Sequence, residues 1–292
     1  MPVEARVALA TFAAMPDGDA DDAALPAALG GDVSFAVWDD PAVDWDAFDL
    51  VVPRSTWDYQ DRRDAFLAWA GRLGPKLVNP VEVIAWNTDK RYLRELAAAG
   101  LPVVETALIA PGAPFAAPAG ADEYVVKPTV SAGSRHTARF TAAPEDGARA
   151  ADLVADIHAT GRTAMVQPYV ASVDTRGETA LLFFDGAFSH AVHKGPLLRR
   201  GEGPTSEFFA PEIIRPRAAT EAERAVAERL LAWAAERFGG PLAYARVDLV
   251  EDDAGAPVLL ELELTEPSLF FAHSDDGPSR FADAVLRRLP ER

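Results

Sequence analysis

Residues 244–271 read YARVDLVEDDAGAPVLLELELTEPSLFF, and this stretch decides the fold. Two β-forming runs, 242–250 and 257–264, flank an acidic turn at 252–255, which predicts a hairpin. Side chains alternate between faces along a strand. Arg246 and Asp248 therefore share one face, and Glu261 and Glu263 share one on the neighbouring strand. Pairing can bring three carboxylates and one guanidinium to a single site, with Val247, Leu249, Leu260, Leu262 and Leu264 packed on the opposite side. Crowded carboxylates repel one another unless a cation lies among them. A hard divalent ion such as Mg2+, held by a few carboxylates plus substrate phosphates, meets that need. A solvated face with incidental acids accounts for this segment alone equally well.

Working outward, two lysines shift the balance. Lys127 ends a β-run in YVVKP, directly before the loop TVSAGSRH at 129–136. A lysine at a strand end, followed by small residues whose amides can converge on an anion, makes a reasonable phosphate cradle. Lys90 lies early in a helix expected over 87–99, capped by Asn87 or Thr88 and ended by Gly100 and Pro102. Either lysine alone is more often a surface cation; with the acidic hairpin they outline a triphosphate site. The chain contains no G-x-x-x-x-G-K-[ST] phosphate loop. At 165–170, MVQPYV is a β-run broken at Pro168, whose exposed backbone can read an adenine edge or simply leave a strand. Glu178 and Lys194 follow on a hairpin, 178–185 and 187–193, across an Asp185-Gly186 turn.

The remaining chain fits an α/β organisation. Short β-runs at 5–10, 33–38 and 49–53, with a helix over 61–73, predict a small parallel sheet within residues 1–85. Residues 16–22 read as a surface loop and 196–211 as a mobile one. Strands are expected at 103–109, 123–127, 137–141 and 163–167, and helices at 144–159, 219–238 and 278–289.

Composition removes several function classes. The 292 residues carry 28 Lys and Arg against 45 Asp and Glu, a net charge of −17, so nucleic acid is not an expected partner. The chain has no cysteine, which excludes disulfide and thiolate chemistry. No run reaches the roughly 18 apolar residues of a membrane span, and the N-terminus lacks a signal-peptide pattern. A cytoplasmic enzyme without membrane partners is the expectation.

In this order these residues resemble the ATP-grasp superfamily, and the last hairpin looks like that of D-alanine–D-alanine ligases and bacterial glutathione synthetases. The likeness runs from about residue 50 onward. More locally, RSTWDY, WNTDKRYL, GETALLFF-x4-SHAVHK and LELELTEPSLFF resemble the subgroup containing the cycloserine-forming O-ureido-D-serine cyclo-ligase, an antibiotic-biosynthesis enzyme. The resemblance implies a three-lobed ATP-grasp fold: an N-terminal α/β lobe at 1–86, a central lobe with a phosphate-covering loop at 87–170, and a C-terminal lobe with the metal site at 171–292. It implies ATP held between the two β-rich lobes. Lys90 and Lys127 would hold the α- and β-phosphates, beneath a loop containing Ser131, Gly133 and Ser134. Gln167, Tyr169 and Val170 would form the adenine hinge, Glu178 would take the ribose, and Lys194 would reach the γ-phosphate. Asp248, Glu261 and Glu263 would bind two Mg2+ ions, with Mn2+ as a substitute, and Arg246 would stabilise the transferring phosphoryl group. Many members have Asn where this chain has Glu263, which bears on metal preference. Homodimers are common among such enzymes, and the sequence leaves a homodimer open here.

The implied reaction joins a small amino-acid-like carboxylate to an amine, between molecules or within one, through an acyl phosphate. Phosphoryl transfer needs positioning and charge neutralisation, which lysines, metals and an arginine supply. For the substrate, Arg54 at a strand end is placed to take a carboxylate and Asp58 an amine. Trp57 and Tyr59 either frame that substrate or pack between lobes. His193 and Ser268 are secondary candidates. A small-molecule kinase and a non-catalytic ATP-binding protein are the competing readings.

Overall fold

Three short apolar runs near the N-terminus become β1 (Arg6–Thr11), β2 (Asp32–Val37) and β3 (Leu50–Ser55), a parallel sheet in the order β2-β1-β3. In this computed structural model residues 5–133, 135–199, 201, 203 and 212–289 are described. One side of the sheet packs under Trp38, Phe66 and Trp69, the last two from helix Arg63–Leu73. The other side meets helix Gly277–Leu286 and Tyr244. Parallel strands covered on both faces explain why these runs are apolar almost without alternation.

A second sheet is antiparallel and contains β4 (Ala107–Ile109), β5 (Glu123–Pro128), β6 (Ala138–Thr141) and β7 (Ala164–Pro168), ordered β4-β7-β5-β6. Helix Pro144–Ala159 covers it with Ala150, Leu153, Val154 and Ile157, which repeat at helical spacing.

The third sheet holds β8 (Glu178–Phe184), β9 (Ala187–Lys194), β10 (Ile214–Pro216), β11 (Tyr244–Glu251) and β12 (Pro257–Glu263), in the order β10-β9-β8-β11-β12. Asp185 and Gly186 both take positive φ, 50° and 77°, as a two-residue hairpin turn requires. Helix Glu221–Phe238 backs this sheet; it starts at a Thr220–Glu223 capping box and ends at left-handed Gly239. The fold is mixed α/β, with one parallel and two antiparallel sheets.

Four sequence expectations need correction. The helix expected over 87–99 is two helices, Val81–Asn87 and Tyr92–Ala98, so Asn87 closes the first and Lys90 sits in the turn between them. The segment 16–22 is no mere surface loop: Asp22 is buried within the 3-10 helix Ala20–Ala24. Strand β10 was not anticipated. Leu260 does not pack behind the last hairpin; β12 carries one extra residue there, since Asp248 pairs with Glu261 but Leu249 pairs with Leu259. That bulge turns Leu260 to the cleft described next. Most of 196–211 lies outside the described residues.

Candidate active site

A cleft of about 380 Å³ opens between the second and third sheets and reaches the N-terminal lobe. Its floor is the last hairpin. Arg246 pairs in register with Glu263, and Asp248 with Glu261, so all four residues share one face, as alternation predicts. Two side chains brace this strand from below. Asn87 donates to Leu262 O at 2.7 Å and accepts from Leu264 N at 2.7 Å, while Tyr92 Oη donates to Leu262 O and accepts from its amide, both at 2.9 Å.

The charges answer one another. Arg246 forks onto Asp248, Nε to Oδ1 at 2.9 Å and Nη2 to Oδ2 at 3.0 Å, and also contacts Glu263. Lys194 reaches Asp248 at 2.9 Å and Glu178 at 3.0 Å. Lys90 lies 3.0 Å from Glu261 and donates to Ser131 O at 2.7 Å. Burial opposes the charge on Asp248, but Arg246 and Lys194 outweigh it and hold its carboxyl below the usual range. Burial pushes Glu263 up to about 7, with Glu261 and Asp248 adding to Arg246's failure to compensate fully. Among the described residues, no three acids stand together as a ready-made metal cage. The expected cluster is therefore looser than alternation suggested, because each acid turns toward a cation. A few carboxylates on neighbouring strands still suit Mg2+, which keeps water and phosphate oxygens in its shell.

Lys127 differs from the other cleft lysines: among the described residues its ammonium has no ion-pair or hydrogen-bond partner. Burial lowers its pKa, against the pull of Glu261. Ser131 and Gly133 line the same end of the cleft, and Ser134 lies outside the described residues. The loop is fastened to the N-terminal lobe, where the Ala132 amide donates to Gln60 Oε1 at 3.0 Å and Arg135 pairs with Asp61 at 2.8 Å.

At the far end Gln167, Tyr169 and Val170 line the cleft with Val125, Val173 and Leu260. Gln167 donates to Thr106 at 2.9 Å. The Tyr169 amide is engaged by Glu123 O at 2.8 Å, and its ring lies under the Arg139 guanidinium, 3.4 Å from the ring centre.

On the substrate side the structure redistributes the expected roles. Arg54 does not line the cleft. It is 1% exposed, forks onto Asp22 at 2.8 and 3.0 Å, and donates to Pro267 O at 2.9 Å. Asp58 also faces elsewhere, accepting from Trp38 Nε1 at 2.8 Å and pairing with Arg62. His193 points away, since neighbours along β9 alternate and Lys194 takes the cleft side. Trp57 and Ser268 do line the cleft, as does Tyr59. Sequence reading missed Asn87, Tyr92, Glu266 and Phe270. Glu266 follows the strand in TEPSLFF and lines the cleft, where burial, with Glu263 and Glu261 nearby, pushes its carboxyl up to about 8. Phe270 has positive φ, 53°, and its ring lies 5.5 Å from the Arg246 guanidinium.

Comparison with known proteins agrees with this geometry. Residues 7–79 match the model of the N-terminal domain of D-cycloserine synthetase DcsG. The cycloserine biosynthesis protein DcsG of Streptomyces lavendulae is 41% identical over 266 residues, covering 86% of this chain and 87% of that protein. The chain belongs to the D-cycloserine synthetase family of ATP-grasp ligases. The crystal structure of D-cycloserine synthetase DcsG superposes on this family member with a TM-score of 0.87 at 40% identity, covering 97% of this chain and 99% of that one. Two distant structures share the fold. One is D-alanine–D-alanine ligase from Bacillus anthracis complexed with ATP, TM-score 0.66 at 13% identity over 97% of each chain. The other is the ATP-grasp ligase PsnB with a precursor variant, Mg and ADP, TM-score 0.64 at 17% identity over 99% of this chain and 100% of that one. The chain is thus an ATP-dependent, cycloserine-synthetase-like ligase, and no helix among the described residues is long and apolar enough to cross a membrane.

Proposed function

We propose that this enzyme closes a ring within a small amino-acid-like carboxylate, using ATP to make an acyl phosphate and releasing ADP and phosphate. The observation that carries the reading is the unpaired Lys127, set in one cleft with Lys90, Lys194 and Arg246. A cleft lysine that no carboxylate engages among the described residues calls for an anionic ligand. Lys90, Lys127, Ser131, Gly133 and Ser134 hold the α- and β-phosphates. Gln167, Tyr169 and Val170 frame adenine; with the Tyr169 amide engaged, Val170 supplies the donor. Glu178 takes the ribose, and Lys194 reaches the γ-phosphate. Asp248, Glu261 and Glu263 hold two Mg2+ ions, replaceable by Mn2+, which neutralise charge on the phosphates. Arg246 takes up the charge that grows on the transferring group and on the tetrahedral centre that follows. Trp57 and Ser268 border the carboxylate. The same proposal includes lobes dividing at 86/87 and 170/171, a homodimer and a cytoplasmic location.

Ring closure rather than joining of two molecules is favoured by the DcsG relative. The test is phosphate and ADP release with O-ureido-D-serine and a panel of amino acids, in the presence of Mg2+. Turnover should fall about a hundredfold or more in Lys127→Ala and Asp248→Asn. A stable phosphorylated product without free phosphate would make the enzyme a kinase, and full activity in both variants would remove the site.

A further inference from the structure

Every cleft carboxylate on β8, β11 and β12 has a cationic partner, and Glu266 has none. Asp248, Glu178, Glu261 and Glu263 each contact Lys194, Lys90 or Arg246. Among the described residues the Glu266 side chain has no ion-pair or hydrogen-bond partner, although it is only 7% exposed. A buried carboxylate without a partner is costly, and such a group persists where a ligand completes it.

Its position is built. The Glu266 carbonyl accepts from Trp57 Nε1 at 3.3 Å, and the next carbonyl, of Pro267, accepts from Arg54 at 2.9 Å. Ser268 O accepts from Arg246 at 3.1 Å. Asp21 then gathers the amides of Leu269, Phe270 and Phe271 at 2.7–2.9 Å. With Thr265 O also accepting from Tyr244 Oη at 2.8 Å, the loop is fixed on both sides of Glu266, in the cleft wall that Trp57 and Tyr59 share.

The geometry points to Glu266 as the residue that receives the substrate's ammonium group and makes the enzyme selective for amino acids over plain carboxylic acids. A primary ammonium offers three donors and one positive charge, which match a lone carboxylate. Arg246 lines the same cleft with the opposite charge, matching the carboxylate end of a zwitterion. The inference rests on the ligase reading above and replaces Asp58, which Arg62 and Trp38 already occupy.

O-ureido-D-serine and its analogue without the amino group, 3-(ureidooxy)propanoate, separate the two claims. The amino group lies outside the ring that closes, so removing it changes recognition and leaves the reacting atoms intact. Binding of each probe is measured with Mg2+ and a non-hydrolysable ATP analogue, and phosphate release with Mg2+ and ATP. Wild type should prefer the amino probe by about thirtyfold. Glu266→Gln should reduce that ratio to about threefold or less with the KM for ATP unchanged, and Glu266→Asp should restore part of it. An undiminished ratio in Glu266→Gln, or a wild type that binds the two probes alike, overturns the assignment. Amine-selective binding without phosphate release keeps Glu266 and overturns the ligase reading. Phosphate release with no amine preference does the reverse.

Discussion

Asn87 donates a hydrogen bond to the carbonyl of Leu262 at 2.7 Å, joining the turn before Lys90 to the strand that carries Glu261 and Glu263. The same side chain accepts from Leu264 N, so it replaces a missing strand neighbour on both sides of Glu263. Asn87→Ala should leave the buried Leu264 amide unpaired, while Leu262 O keeps its bond from Tyr92 Oη, and cost about 1–3 kcal/mol. Urea unfolding measures this, and turnover should fall more than the loss of folded protein explains. A variant as stable and active as wild type would deny Asn87 any bracing role.

Two contacts of unequal worth tie Ala132 and Arg135 to the segment Gln60–Asp61. Gln60 is buried where it receives the Ala132 amide, whereas Asp61, the partner of Arg135, is 42% exposed. Exposed ion pairs contribute about 0–1 kcal/mol, while a buried donor left unmade costs more. Gln60→Ala should therefore lower kcat/KM about tenfold and speed proteolytic cutting within 129–137. Asp61→Ala should change kcat/KM less than about threefold. The reverse ranking would mean that the ion pair holds the loop.

Arg54 and Asp22 make a fully buried ion pair that also grips the Pro267 carbonyl. Arg54→Met should destabilise the protein by about 3–5 kcal/mol, because it strands the Asp22 carboxylate. Adding Asp22→Leu should recover most of that loss, since an apolar pair of similar volume is tolerated. Thermal unfolding of the single and double variants decides the matter. Equal loss in both would locate the cost in Pro267 instead.

Stability should also depend on pH through Glu266. Its folded pKa, about 8, stands above the ordinary carboxylate value because burial, Glu263 and Glu261 outweigh Lys90 and Arg246. The folded state therefore holds a proton that the unfolded state has lost. That contribution to stability is full below about pH 4.5 and declines as pH rises toward 8. Glu266→Gln should flatten this part of the ligand-free stability profile. An unchanged slope would show that Glu266 ionises normally.

Local pattern made the three sheets and much of the cleft legible in the sequence. Alternation alone placed Arg246, Asp248, Glu261 and Glu263 on one face, and turn chemistry placed the Asp185-Gly186 hairpin. What escaped depends on distant contacts. Nothing near Arg54 announces that Asp22, 32 residues earlier, will occupy its guanidinium. The Asp21 hold on the amides of 269–271 spans some 250 residues. A bulge such as that at Leu260 leaves the apolar count intact and shifts only the pairing. Glu266 lies in an irregular segment past the strand end, where periodicity carries no information; the adjacency of TEPSLFF to the ELE strand was the available signal.

The mutual pairing of Lys90 with Glu261, Lys194 with Asp248 and Arg246 with Glu263 sets the terms of entry. A nucleotide arriving alone would draw the lysines away and strand their acids; a metal arriving alone would do the opposite. Only the metal–nucleotide complex satisfies both sets at once. On the proposed phosphate and metal roles, the cleft would work as a two-key lock, admitting its energy source in the form in which the phosphates are already partly neutralised.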